Sequence, residues 1–290
     1  MSNLLEVKDL SIAFGGLKAV DNLSFDIKEK EIYGLIGPNG AGKTTVFNCI
    51  TQFYKPDSGS LSFINNKNEK IQLEDLQVHE IIHHGIVRTF QNVELVYELT
   101  VLENVMIGGT ISYKSNIVDE LFSTKRIRRE EAALRERAIE VLEKMDLVHL
   151  KDMPAGGQPY GVQKKVELAR TLMLSPKLII LDEPAAGLND AETIELADTI
   201  HNISRSMDCA ILLIEHDMGL VMKVCDRICA ISFGKKLAIG TPEEIQKNKL
   251  VQEAYLGVSD EEVEHLVEEI VGENDHSHMN QGGPNEKENS

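Results

Sequence analysis

Backbone N–H groups can wrap anionic phosphate oxygens only where side chains do not hold the loop away. Gly37-Pro38-Asn39-Gly40-Ala41-Gly42-Lys43-Thr44 meets that condition and fits the spacing G-x-x-x-x-G-K-[ST]. The apolar run Ile32-Tyr33-Gly34-Leu35-Ile36 before it reads as a buried strand, and Thr44 to Ile50 as the helix that follows. That helix would add unpaired N–H groups and the positive end of its dipole, with Thr45 in its first turn. Lys43 would reach the terminal phosphates and the Thr44 hydroxyl would ligate Mg²⁺, which makes a nucleoside triphosphate the expected ligand. The competing reading is a glycine-rich surface turn.

Two further apolar runs end in groups able to do chemistry. Leu178-Ile179-Ile180-Leu181 delivers Asp182 and Glu183, as a core parallel strand delivers acids at its carboxyl end. Asp182 is suited to hold Mg²⁺ through water, and Glu183 to polarise an attacking water. The plain alternative is a strand with an acidic turn. Ala210-Ile211-Leu212-Leu213-Ile214 ends in Glu215-His216-Asp217, which puts a histidine at the γ-phosphate if the three runs are neighbours in one sheet. A histidine here could equally be structural.

Phe14, the GPNGAGKT loop, Gln91 within Arg88-Thr89-Phe90-Gln91-Asn92, the LIILDEP segment and His216 in LLIEHD share an order and spacing. In these the chain resembles an ATP-binding-cassette (ABC) ATPase subunit from about Leu4 to Gly257. The wording GPNGAGKTTVFNCIT, VRTFQNVEL, LDEPAAGLN and LLIEHDMGLVM is most similar to the ATP-binding subunits of branched-chain amino acid importers. The resemblance implies that Phe14 stacks on adenine with Val20 beneath it. It also implies that Gln91 touches Mg²⁺ or the attacking water and leads into the transporter-facing surface, and that His216 senses the γ-phosphate. Asn189 stands where the family usually has aspartate. Phe14 and Val20 read equally as core residues of an alternating strand, and Gln91 as a solvated loop amide.

The family's signature loop, L-S-G-G-Q, contacts ATP held by the opposite subunit of a head-to-tail pair. The matching segment is Gln158-Pro159-Tyr160-Gly161-Val162, in which proline replaces serine. Pro159 removes a hydroxyl and a backbone N–H, while Gly161 still allows close approach and Tyr160 before it is similar to the importer branch. Val162, Val166, Ala169 and Met173 form one apolar stripe behind it. Either two unequal ATP sites form with a related partner subunit, or Pro159 simply starts the helix.

Composition limits the alternatives. The 290 residues carry a formal net charge of −17, against a broad basic surface for nucleic acid. No apolar stretch approaches the ~20 residues that span a bilayer, and no signal peptide opens the chain, so a membrane location would come through a partner. Cys49, Cys209, Cys225 and Cys229 form no C-x-x-C pair and read as buried, reduced thiols. His83-His84 and His276-Ser277-His278 read as solvated. Lys125-Arg126-Ile127-Arg128-Arg129 is a local basic cluster that reads as helix-flanking more readily than as a lipid contact.

The elements that must position these groups make an α/β P-loop NTPase core with a mixed sheet, an antiparallel β subdomain and an inserted helical subdomain. Leu10-Ile12-Phe14 and Leu23-Phe25-Ile27 alternate as half-buried strands. From about Gln91 to Ala169 the period becomes helical, with Leu134, Ala138, Val141, Leu142 and Met145 in one stripe and a capping box at Thr100 and Glu103. Gly234-Lys235-Lys236 predicts a hairpin turn, and Thr241-Pro242-Glu243-Glu244 a capped helix start. The ATPase domain covers 1–257, and 258–290 is an acidic extension. There Val263, Leu266, Val267 and Ile270 predict a short amphipathic helix, and Gly272 to Ser290 is expected to be disordered.

The reading that follows is an ATP-hydrolysing importer subunit, peripheral on the cytoplasmic face of the membrane. The resemblance implies as partners a second ABC ATPase subunit, transmembrane permease subunits and, indirectly, an extracytoplasmic solute-binding protein, with no nucleic acid. Two alternatives are a soluble ABC ATPase that remodels a macromolecular complex, and an ATP-binding module with little hydrolysis.

Overall fold

The structure is a computed structural model that describes residues 2–89, 93–110 and 125–256. Gln91 and the extension beyond Gly257 lie outside the described residues.

Two sheets form the frame. β1 (Asn3–Phe14), β2 (Leu17–Lys28), β4 (Ser58–Ile64) and β5 (Lys70–Gln72) make an antiparallel sheet in the order β2-β1-β4-β5. The second sheet runs β10-β9-β3-β8-β7-β6, from β3 (Ile32–Ile36), β6 (Ile86–Arg88), β7 (Leu178–Asp182), β8 (Ala210–Ile214), β9 (Arg227–Ser232) and β10 (Lys235–Gly240). Its strands are parallel except β10, which is antiparallel to β9.

The continuous apolar runs have a simple cause: β3, β7 and β8 are covered on both faces. Tyr33, Leu35, Leu178, Ile180, Leu212 and Ile214 pack toward the antiparallel sheet and α1 (Lys43–Ile50). Their alternates Ile32, Ile36, Ile179, Leu181, Ile211 and Leu213 pack against helices on the other side. The three strands are adjacent, and the ladder sets Leu35 opposite Ile214 and Ile214 opposite Asp182. Their carboxyl ends therefore leave the sheet at one level.

A short helix, α2 (Val78–Ile81), precedes β6. The helical lobe contains α3 (Val101–Gly109), α4 (Lys125–Lys144) and α5 (Tyr160–Leu172). Leu134, Ala138, Val141, Leu142 and Met145 form the buried stripe of α4, and Thr100 and Glu103 cap α3 reciprocally. Gly108 allows α3 to lie against α5, because a Cβ there would meet the Arg170 carbonyl. α6 (Asp190–Ser206), α7 (Met218–Val224), α8 (Pro242–Lys247) and α9 (Lys249–Leu256) complete the described chain. Among the described residues no helix is long and apolar enough to cross a membrane.

One turn differs from its sequence expectation. Lys235 and Lys236 already belong to β10, and the turn is Phe233-Gly234, with φ of 44° and 76°. A two-residue hairpin of this twist needs positive φ at both positions, and phenylalanine does not advertise that conformation. Thr241 caps α8 with Pro242 behind it, as the sequence indicates.

A buried side-chain amide helps to hold the loop that follows the Gln91 segment. Asn104, fully buried on α3, accepts from the Val96 N–H and donates to the Val96 and Thr100 carbonyls. Asn104→Ala strands these buried groups, so chemical denaturation should show a loss of about 2–3 kcal/mol.

Candidate active site

β3 feeds the phosphate-binding loop directly into α1. Gly42 caps α1 in the left-handed region at φ 101°, and a Cβ there would run into the Ala19 carbonyl. The Phe233-Gly234 turn braces the loop from outside. The Gly234 N–H donates to the Ala41 carbonyl at 2.9 Å, and the Asp21 N–H donates to the Gly234 carbonyl at 2.9 Å.

A cavity of about 740 Å³ opens over this loop. Asn39, Gly40, Ala41, Gly42, Lys43 and Thr44 line its floor, with Thr45 and Glu183 beside them. Lys43 is nearly buried, and its ammonium donates to the carbonyls of Gly37 (2.6 Å) and Pro38 (3.1 Å). Burial pulls its pKa down, against the raising influence of Glu183 and Asp182. Anionic phosphate oxygens would give this desolvated cation a stronger counter-charge than the loop carbonyls do.

Asp182 ends β7 with its carboxyl mostly buried, and burial raises its pKa against the opposing charges of Arg88 and Lys43. Arg88, at the end of β6, stands 3.3 Å from Asp182, donates to Asn48 and lies 4.0 Å over the Phe47 ring. Sequence reading gave Arg88 no role. Its place at the carboxyl end of the neighbouring strand was the available signal.

Glu183 sits at φ 48°, its N–H donating to the Ile214 carbonyl at 2.8 Å. Strained backbone of this kind at a strand end aims a side chain out of the sheet. His216 Nδ1 is 3.7 Å from Glu183 Oε1, so the acid and the histidine share one place. Between them lies a residue that sequence reading passed over. Glu215 is fully buried, its Oε1 accepting from the Ala185 N–H and its Oε2 from the N–H groups of His216 and Asp217. One carboxylate thus binds the loop after Glu183 to the loop carrying His216.

Phe14 and Val20, the residues expected at adenine, stand apart from this cavity. Val20 is fully buried in the core, and Phe14 sets its ring edge-on to Tyr54, with centroids 5.2 Å apart. Neither lines the cavity, whose apolar walls come from Leu17 and Phe233. Sequence reading missed both: Leu17 is a turn-flanking residue, and Phe233 looks like a strand end.

Tyr160 and Gly161 open α5 and are not among the residues that line the cavity. Pro159 is the N-cap itself, without a side-chain bond, and the Gly161 N–H donates to Glu192 Oε1 at 3.3 Å. Asn189 accepts from the Glu192 N–H in a reciprocal cap of α6, a task for which asparagine serves as well as aspartate. Lys164 ties α5 to the active site by donating to the Pro184 carbonyl at 2.7 Å.

Among the described residues no three His, Cys, Asp or Glu side chains converge as a metal cage. A cation held by Thr44 and Asp182 would then take its remaining oxygens from phosphates and water, the habit of Mg²⁺. The four cysteines are free and buried.

Strand order, loop and acids define a phosphate-loop nucleotide-binding ATPase fold. The chain matches the ABC transporter family over residues 20–186, and a branched-chain amino acid ATP-binding cassette transporter pattern over residues 235–261. LivG of Salmonella typhimurium, a high-affinity branched-chain amino acid transport ATP-binding protein, is 45% identical over 254 residues, 88% of this chain and 98% of that protein. BraF of Pseudomonas aeruginosa, with the same description, is 44% identical over the same shares. The solved structure of MJ1267 in its ADP conformation, an ATP-binding cassette of an ABC transporter, superposes with a TM-score of 0.75 at 32% identity, over 89% of this chain and all of that one. This chain belongs to the ABC transporter ATP-binding family.

Glu167, on α5, gives the site a pH signature. Burial pushes its carboxyl from the ordinary 4.5 to about 7, although Arg170, the Glu94 N–H and Lys164 oppose the shift. Through that window the folded chain keeps a proton that the unfolded chain has released, so stability falls as pH rises. Glu167→Gln should abolish this loss. Denaturation at about pH 5 and pH 8 should show a wild-type decline of about 1–3 kcal/mol that the variant lacks.

Proposed function

We propose that this chain is the ATP-hydrolysing subunit of an importer for branched-chain or related amino acids. The supporting observation is the convergence of the Gly37–Thr44 loop, Asp182, Glu183 and His216 at the ends of adjacent parallel strands. The names of its relatives point to the solute class.

In this reading Lys43 exchanges the Gly37 and Pro38 carbonyls for phosphate oxygens, while the amides of residues 39–45 and the start of α1 hold the rest of the triphosphate. Thr44, Asp182 and Gln91 would hold Mg²⁺, which when bound neutralises charge building on the phosphate oxygens. Glu183 takes the proton of the attacking water, and His216, held by Glu215, contacts the γ-phosphate. Leu17 and Phe233 offer the base an apolar wall, with Phe14 at the neighbouring hairpin end.

Tyr160 and Gly161 do not line this cavity, which fits the reading that they serve a nucleotide on a second cassette. Pro159 offers that nucleotide neither a hydroxyl nor an N–H, which supports a related, non-identical partner and two unequal sites. Permease subunits would carry the opening and closing of the pair into transport, placing the chain at the cytoplasmic face. The helical subdomain at about 91–169 would meet them through the Gln91 segment. Restoring serine at 159 should raise turnover in the assembled transporter, and an unchanged rate would count against unequal sites.

Glu183→Gln should keep Mg·ATP affinity, slow hydrolysis by about 100-fold or more and accumulate closed dimers on gel filtration. Wild-type turnover by this variant would remove Glu183 as the base.

A further inference from the structure

We propose that the apolar groove between α7, α8 and α9 is the seat of this chain's own residues 259–271, docked there as an amphipathic helix. This goes beyond the function above and does not depend on the solute carried.

The groove has a volume of about 460 Å³ and is lined by Met218 and Met222 of α7, Ile245 of α8, and Val251 and Tyr255 of α9. Ile245 and Val251 belong to the core, while 37% of Tyr255 remains exposed. α9 is also where the described chain ends, so the next residues depart from the groove's own wall. Val263, Leu266, Val267 and Ile270 recur there at helical spacing. A helix over 259–271 is ~20 Å long, and Gly257-Val258 leaves a two-residue connection between it and α9, the length of a tight helix–helix turn.

Charge selects this occupant. Asp260, Glu261, Glu262, Glu264, Glu268 and Glu269 surround the apolar positions. Lys247 and Lys249 are exposed on α8 and α9, while Lys223 of α7 is paired with Asp198 at 3.3 Å. Comparison supports the assignment. The LivG match takes in 98% of that protein but 88% of this chain, and the C-terminal family pattern stops at 261. The walls given by α8 and α9 thus lie within that C-terminal pattern, and residues 262–271 lie beyond it.

The position gives the docked segment access to the phosphate site. α7 begins two residues after His216, capped by Asp217. The Tyr255 hydroxyl lies close enough to the backbone of Gly37, the first residue of the phosphate loop, for that backbone to oppose the rise in its pKa that burial causes. A helix lying on Met222 and Tyr255 braces both the histidine loop and the glycine loop.

Hydrogen–deuterium exchange on the full-length chain tests this. In Leu266→Glu/Ile270→Glu, amides of 218–224 and 249–255 should exchange ~10-fold faster than in the wild type, while Glu264→Gln, on the polar face, leaves them unchanged. Met222→Glu should in turn expose the amides of 259–271, and unaltered protection across 178–182 shows that each variant is folded. Equal exchange in the wild type and the double variant would overturn the proposal. So would wild-type protection that disappears on dilution, which would assign the groove to a second copy.

Discussion

Everything in this site depends on the lateral register of three parallel strands. Leu35, Ile214 and Asp182 lie in one row across β3, β8 and β7, so the residues that follow them emerge side by side. A one-residue slip in any of these strands would exchange its two buried faces and retract the candidate site residues it carries. The register is protected because both faces are packed, with alternate side chains divided between two apolar layers. The core that stabilises the fold is therefore also the device that aligns the chemistry.

Above the sheet, alignment passes to hydrogen bonds. Glu215 takes three backbone donors from two loops and is fully buried, so the spacing of Glu183 from His216 is set by one carboxylate. Desolvating such a charge is costly unless its acceptor sites are filled, and here backbone N–H groups fill them. The Phe233-Gly234 turn does a comparable task for the phosphate loop through Ala41. Lys43 and Asp182 are both shifted by burial away from their charged forms. In the proposed function, a magnesium-bound triphosphate would supply the opposite charge to each.

Much of this was legible in the sequence. The glycine spacing, the three apolar runs and the stripe of α4 each follow from a local rule, and the structure places all of them as read. What escaped reading is long-range. Arg88 matters because β6 happens to border β7, and Glu215 because its oxygens meet a loop 30 residues away in sequence. Phe233 escaped because its positive φ is imposed by the hairpin and the braced loop rather than by its own type. Val20 shows the reverse case: an alternating strand pattern fits a ligand contact and a core position equally well, and here packing takes it.

The central claim is that these strand ends build one site for Mg·ATP around Lys43. Calorimetric titration of Mg·ATP into the full-length chain and into Lys43→Ala measures it directly. The account predicts saturable one-site binding by the wild type, weakened by about tenfold to a hundredfold in the variant, the worth of charge-assisted contacts to a desolvated ammonium. Equal affinity in the two proteins, or no binding by the wild type, would contradict it.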